Sequence, residues 1–347
     1  MAITIKDVAK AAGVSIATVS YVLNRTRPVN RETAEKILAV IEELNYRPSR
    51  AAQSLVTRTT KMIGILITDI SNSFFSPIVR GVEDEANKAG YIVMIGNSDE
   101  SYSKAQRYLE SLAQHGVDGW IISPTGEFDK LVPVLKKLSI PIVLVNREVN
   151  DFHYDTVATD NELGAYLAVN HLITQGHTRI GIINGPLDAS TYADRLKGYQ
   201  RALTEAKIEI PEDLILCGSY HYESGFHLTK RILSQPAKPT ALFIASGWLT
   251  RGAYHAIKEM GVAIPEELSF ITYDEPEWVS FVDPPLTTVK QQTYEMGRKA
   301  AELLLKRLND KKPDLWWEEQ KPDNHPKLMT IKLEPNLIVR GSTKPVR

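Results

Sequence analysis

From residue 62 onward, short apolar runs alternate with amphipathic segments of helical length, and that alternation leaves few folds open. The runs include 62–67, 91–95, 119–123, 141–145, 180–183, 241–245, 268–272 and 288–289. Helices fit between them, for example at 76–89, 104–115, 161–175, 223–233, 249–260 and 294–308. Continuously apolar strands are buried on both faces, and intervening helices supply the crossovers that parallel pairing requires. The expected fold is α/β with parallel sheets. About ten strands over roughly 285 residues exceed one core, so two lobes are expected.

In open α/β sheets, ligands bind beyond the carboxyl ends of the strands. The loops there carry Ser71, Phe74, Phe75, Ser123, Asn146 and Arg147 in one half. In the other half they carry Asp160, Asn161, Ser246, Trp248, Tyr273, Asp274 and Glu277. Aromatic rings can stack on apolar sugar faces while Asp, Asn and Arg pair with hydroxyls, so the mixture suits a polyol. For any one of these residues, a surface or packing role is the plainer alternative.

The first sixty residues follow a different period. Thr4 is a plausible N-cap with Asp7 three residues on, and Ile5, Val8, Ala9 and Ala12 share one helical face. Gly13-Val14-Ser15 breaks this helix, and Ser15 can cap a second one running from Ile16 to about Leu23. A third is expected from near Asn30 to about Asn45, with Ala34, Ile37, Leu38, Ile41 and Leu44 facing inward. Two short helices joined by a glycine turn and closed by a third make a helix-turn-helix. In that motif the second helix enters the major groove of DNA. Ile16, Ala17, Thr18, Ser20 and Tyr21 would reach base edges there. Thr4, Ser15, Asn24, Arg25 and Arg31 would flank the phosphates. The spacing alone also fits a three-helix packing module with no ligand.

Charge favours the DNA reading. Residues 1–61 hold ten Lys/Arg against five Asp/Glu, which leaves 31 against 37 in the remainder. A basic head on an acidic body suits a polyanionic partner.

The stretch Thr4-Ile5-Lys6-Asp7-Val8-Ala9-Lys10-Ala11-Ala12-Gly13-Val14-Ser15-Ile16-Ala17-Thr18-Val19-Ser20-Tyr21-Val22-Leu23-Asn24 closely resembles the N-terminal signature of the lactose/galactose repressor family of bacterial transcription regulators. Tyr46-Arg47-Pro48-Ser49 and Ala52-Gln53-Ser54-Leu55 resemble its hinge. Further matches are Val117-Asp118-Gly119, Gly176-His177-Thr178-Arg179, Arg195-Leu196-Lys197-Gly198 and Pro285-Leu286-Thr287-Thr288, and the resemblance runs to about Arg340.

The resemblance implies a head at 1–47, a hinge at 48–60 and an effector-binding, dimerising core at 61–347. It also implies two lobes like those of periplasmic sugar-binding proteins, about 61–159 with 293–320, and 160–292 with 328–343. Three crossings are expected near 158–161, 290–293 and 320–330. In the family the hinge folds on operator DNA, and a leucine from each half of a dimer wedges into the minor groove. Leu55 holds that position, beside Ser49, Ala52 and Gln53. Such a short helix is marginal alone, and the wedge costs unstacking energy while bending DNA around more protein. Asp274, Arg195 and the Phe74-Phe75 pair fall at or close to effector positions of the family. Ser71, Ser123, Arg147, Asn161 and Trp248 complete the expected effector set.

The implied function is a repressor, active as a homodimer on a roughly palindromic operator and controlled by a sugar or sugar derivative. Two departures bear on specificity. Tyr21 stands where the family usually has an arginine that reads guanine, so an atypical half-site is expected. Ser246-Gly247 replaces the family's usual Asn-Asp, and its effector arginine falls on Ala189 or Ala193.

Other classes find little support. A sugar-binding protein without DNA function would lack the head, and no nucleophile elbow or phosphate loop suggests an enzyme. His171 and His177 are six apart, which does not suit a metal pair on one helix, and no cofactor is expected. No apolar run reaches the roughly 18 residues of a membrane span, and no secretory signal opens the chain, which fits the cytoplasm. Cys217, in Leu214-Ile215-Leu216-Cys217, is expected to be a buried strand residue. The Pro- and charge-rich stretch 311–327, with Trp316-Trp317, is expected to pack on a lobe surface.

Overall fold

The computed structural model describes residues 3–24, 27–47, 59–138, 140–149, 154–309 and 328–346. The chain divides into two compact units, residues 1–60 and 61–347.

The first unit holds α1 (Ile5–Ala12), α2 (Ile16–Asn24) and α3 (Arg31–Glu43). At the start of α1, the Asp7 carboxylate accepts from the Thr4 backbone N–H at 2.8 Å and its hydroxyl at 2.7 Å. These bonds hold the carboxyl of Asp7 below the usual carboxylate range. Gly13 ends the helix at φ 66°, a left-handed conformation that a Cβ would strain. Asn30 caps α3 by accepting from the N–H groups of Glu32 and Thr33. Val8, Ala9, Ala12, Val19 and Ile37 form the buried centre, ringed by Ile5, Val14, Val22, Leu23, Ile41 and Leu44. Leu38, expected inside, is 53% exposed. It follows Ile37 directly, and a 100° step around α3 turns it out of the small core.

The second unit contains two six-stranded sheets. In chain order its elements are β1 (Met62–Ile67), α4 (Phe75–Lys88), β2 (Ile92–Asn97), α5 (Tyr102–Gln114), β3 (Gly119–Ile122), α6 (Phe128–Leu138), β4 (Ile142–Val145), β5 (Asp155–Thr159), α7 (Asn161–Thr174), β6 (Ile180–Asn184), α8 (Ser190–Glu205) and β7 (Ile215–Cys217). Then come α9 (Tyr222–Leu233), β8 (Ala241–Ile244), α10 (Gly247–Glu259), β9 (Ser269–Tyr273), β10 (Thr287–Lys290), α11 (Thr293–Asn309), β11 (Thr330–Leu333) and β12 (Asn336–Ile338). The first sheet runs β11-β5-β4-β3-β1-β2 and the second β12-β10-β9-β8-β6-β7. All pairings are parallel except β10 with β12.

Both faces of each sheet are covered. Along β1, Ile63, Ile65 and Ile67 pack with Ile78, Val82 and Leu304 of α4 and α11. Leu66 turns to the other face, beside Trp120, Leu109 and Leu131. Gly64 makes room for that indole, because a Cβ there would lie 2.4 Å from the Trp120 ring. In the second sheet, Ile182 and Phe243 face one cluster, while Ile183, Leu242 and Ile244 face another. Each fully buried Ile, Leu or Phe contributes about 1.5–3 kcal/mol relative to exposure, so these faces fix the strand register.

Among the described residues, the chain crosses between lobes three times. Residue 160 links β5 to α7, residues 291–292 link β10 to α11, and residues 334–335 link β11 to β12. The third crossing therefore lies beyond the expected 320–330. Residues 330–333 belong to the first lobe rather than the second, because β11 pairs with β5 in register Thr330 to Thr156. Cys217 is exposed rather than buried, at the end of the three-residue edge strand β7. The stretch 311–327 lies outside the described residues. No helix among the described residues is long and apolar enough to cross a membrane.

Candidate functional site

In the first unit, Ser15 initiates α2 as expected from its type. Its Oγ accepts from the Thr18 N–H at 3.1 Å and lies 2.8 Å from the Thr18 hydroxyl. Ile16 and Ala17 follow on the exposed first turn, Ile16 at 43% exposure. An exposed isoleucine at a helix N-terminus costs solvation in the free protein and offers an apolar contact to a thymine methyl. Asn24 donates to the Ser20 hydroxyl at 3.2 Å. Arg31 pairs with Glu35 at 2.8 Å on the surface, a contact of a few tenths of a kcal/mol that a phosphate can replace. Tyr21 carries the Arg27 guanidinium over its ring at 5.1 Å from the centroid. Position 27 thus places a cation beside the ring of Tyr21. Arg25, Ser49, Ala52, Gln53 and Leu55 lie outside the described residues.

Tyr21→Arg is expected to raise preference for guanine at one half-site position about tenfold, since a bidentate arginine contact discriminates by ~1–3 kcal/mol. Selection from a randomised operator library reads this directly, and an unchanged consensus would remove Tyr21 from base contact.

In the second unit, the carboxyl ends of both sheets face a cleft between the lobes. Its wide outer part, about 1220 Å³, is lined by Ser71 and Phe74 from one lobe and Trp248, Asp274 and Glu277 from the other. A smaller inner pocket of about 70 Å³ adjoins it, lined by Phe74, Phe75, Arg147, Arg195, Trp248 and Asp274 among others.

Asp274 ends β9 with φ 72°, a left-handed backbone uncommon for a residue with a side chain. Its Oδ1 accepts from Gln291 Nε2 at 2.6 Å and its Oδ2 from the Gly247 N–H at 3.0 Å. Gln291 in turn accepts from the Thr159 hydroxyl at 2.6 Å, so the carboxylate is tied to the ends of β5 and β10. Arg195, on α8, is 4% exposed. It donates through Nε to Asn161 at 2.9 Å and through a terminal nitrogen to the Ala245 carbonyl at 2.5 Å. Its guanidinium carbon lies 3.7 Å from the Tyr273 ring centroid, and desolvation holds that phenol well above its ordinary value. Phe74 and Phe75 meet edge to face at 5.1 Å. Arg251 lies over the Trp248 ring at 5.4 Å, at the mouth of the cleft.

Two expected contacts are not brought to the cavity wall. Ser123 is fully buried behind it, and Asn161 serves Arg195 while donating to the Thr159 carbonyl. Ser71 lines only the outer cleft and donates to Asp69. Conversely, Glu100, Tyr192, Tyr220 and Gln291, which are not in the expected effector set, also line the inner pocket. Tyr220 and Glu100 sit in loops after β7 and β2, where position after a strand was the available signal.

Comparison with known proteins bears on both units. Residues 4–49 match the model of bacterial regulatory proteins of the lacI family, and residues 169–343 match that of the periplasmic binding protein-like domain. The chain is 38% identical over 330 residues to the HTH-type transcriptional repressor PurR of Aliivibrio salmonicida, covering 95% of this chain and 98% of that one. It resembles the lac repressor dimer bound to operator and the anti-inducer ONPF, with a TM-score of 0.84 at 27% identity, covering 99% of this chain and 100% of that one. It also resembles the transcriptional regulator CelR in complex with cellobiose, with a TM-score of 0.73 at 28% identity over 98% and 99% of the two chains. These relatives are regulators rather than enzymes. The chain belongs to the lacI family of bacterial regulatory proteins: it is a DNA-binding transcriptional repressor with a helix-turn-helix head and a two-lobed α/β core.

Proposed function

We propose that the protein acts as a homodimer on a roughly palindromic operator and is controlled by a sugar or sugar derivative bound between its lobes. The observation that carries the effector reading is the convergence of Asp274 and Arg195 with the Phe74-Phe75 pair on one inter-lobe pocket. A carboxylate and a guanidinium, each held by fixed partners, can divide the hydroxyls of a sugar between acceptor and donor. The cellobiose complex of CelR supports the class. Because only differential affinity shifts an equilibrium, the effector must favour one lobe arrangement, and lobe closure then alters operator affinity. A planar base is a second reading, favoured by the rings of Phe74, Tyr192, Tyr220 and Trp248 around the same pocket.

The dimer reading rests on apolar exposure in the second unit. Strand β2 is an edge strand, yet Ile92, Met94 and Ile95 are exposed, as are Ile70 and Phe281. Such surface calls for a partner. In the head, Ile16, Ala17, Thr18 and Tyr21 are assigned to base edges, and residues 48–60 to the minor groove.

A thermal-shift screen tests the effector class. A true ligand stabilises the native state by mass action, so melting temperature should rise with its concentration. Sugars, sugar acids, sugar phosphates and nucleobases form the panel. A rise with sugars upholds the reading, and a rise confined to nucleobases replaces it. A salt titration tests the operator contact. About six phosphate contacts predict a slope near −5 for the logarithm of the binding constant against the logarithm of salt concentration. A flat response would contradict phosphate contact by the head.

A further inference from the structure

Two successive residues after β2, Asp99 and Glu100, adopt left-handed backbones at φ 48° and 55°. Neither is glycine, so this turn is strained and must be held by its surroundings. Asp99 accepts from Asn97 at 2.7 Å and from Lys104, and Ser101 then caps α5. The turn delivers Glu100 into the inner pocket. There its two oxygens take both forks of Arg147, at 2.6 and 2.9 Å, and Arg147 also donates to the Pro124 carbonyl at 2.9 Å. Both side chains of the pair are 11% exposed. Burial works against the Arg147 charge, but Glu100 more than offsets it, and the guanidinium ends above its ordinary value.

Among the described residues, the inner pocket thus holds three carboxylates, Asp69, Glu100 and Asp274, against two guanidiniums, Arg147 and Arg195. Arg147 is neutralised by a bidentate partner. Its buried Nε–H has no acceptor among the described residues. The Nη2 group, by contrast, carries a second hydrogen beyond its bond to Glu100, and a neutral oxygen can take it and leave the pair intact. An anion must instead displace Glu100, or add a further negative charge to a volume where like charges are poorly screened.

We propose that Glu100 sets the charge selectivity of the effector site: by occupying Arg147 it admits an uncharged oxygen at that end of the pocket and excludes phosphate and carboxylate. The inference rests on the inter-lobe effector reading, and it names the part of the ligand that meets Arg147 as a hydroxyl or carbonyl. Glu100 is a specificity-determining residue that acts through Arg147.

The test uses full-length protein and inorganic phosphate as probe, at constant ionic strength, with melting temperature as readout. Wild type, Glu100→Gln, Arg147→Met and the double variant are compared, so that phosphate held elsewhere, on the DNA-binding head for example, cancels. Glu100→Gln should gain a phosphate-dependent rise on the order of 2 °C that wild type lacks and that the double variant loses. No gain in folded Glu100→Gln overturns the proposal. So does a wild-type rise that disappears in Arg147→Met, and this comparison decides the matter even if Glu100→Gln does not fold. Because the probe is not the effector, failure of the sugar screen leaves this result standing.

Discussion

Asp274→Ala is expected to lower effector affinity at least 100-fold while the repressor still binds its operator without effector. The carboxylate lines both parts of the cleft, and its oxygens are aimed by Gln291 and the Gly247 N–H. Hydrogen bonds from ligand hydroxyls to a charged acceptor contribute about 1.5–3 kcal/mol each, and two of them amount to roughly 3–6 kcal/mol, or about 100- to 10,000-fold. The alanine also leaves Gln291 Nε2 and the Gly247 N–H without this acceptor, which loosens the pocket wall. Asp274→Asn keeps the shape but turns one oxygen into a donor facing Gln291 or Gly247, so it should recover little. The measurement is paired: titration of operator-bound protein with whichever probe raises the melting temperature, and operator affinity without the probe. A normal response to the probe would take Asp274 out of the site.

The same carboxylate has a second consequence through Gln291. The chain Thr159–Gln291–Asp274 runs from the end of β5 to the second crossing and on to the end of β9. Thr159 belongs to the first sheet and Asp274 follows a strand of the second. A ligand that pulls on Asp274 therefore acts on a residue bonded to both lobes. That gives the effector a physical route to bias lobe closure, the requirement for shifting a two-state equilibrium.

How much of this was legible in the sequence depends on how each element is encoded. Strand β1, Met62–Ile67, was legible because burial on both faces demands a continuous apolar run. Strand β5 was not, because Asp155-Thr156-Val157-Ala158-Thr159 is polar by composition yet buried throughout. Its threonine hydroxyls and its aspartate all have partners, so it is buried although hydropathy hides it. Strand β11 alternates intermediate and exposed residues and follows the stretch 311–327, which displaced the expected third crossing. In the cleft, Arg147 and Asp274 could be found because each lies within two residues of a strand's carboxyl end. Glu100 also follows a strand, three residues after β2, but it is aimed into the pocket by two left-handed residues, and backbone strain leaves no mark in the order of side chains. Asn161 and Ser123 had the right type and the right loop, but one is consumed by Arg195 and the other stays behind the wall.

Asp155→Ala is expected to destabilise the two-lobed unit by about 3–5 kcal/mol, the usual cost of removing one partner of a buried ion pair. Asp155 is 1% exposed and Arg307 4%. The guanidinium donates to Oδ2 at 2.6 Å and to Oδ1 at 2.8 Å, and the Met329 N–H donates to Oδ1 at 2.8 Å. These three segments share a role: β5 leads into the first crossing, α11 leaves the second, and residue 329 enters β11 just before the third. One carboxylate thus ties together the far ends of three first-lobe elements, each of which meets a crossing at its other end. Removing it should lower the melting temperature by roughly 10 °C for a unit of this size. Burying the pair costs desolvation that the attraction only partly offsets, so Asp155→Leu with Arg307→Met should recover most of the loss. If that double variant is stable but its effector response is weaker or less steep, the pair serves to hold the three crossings in register. If stability and response both return fully, its contribution is to stability alone. A single Asp155→Ala variant that melts within about 2 °C of wild type would show that the pair holds neither.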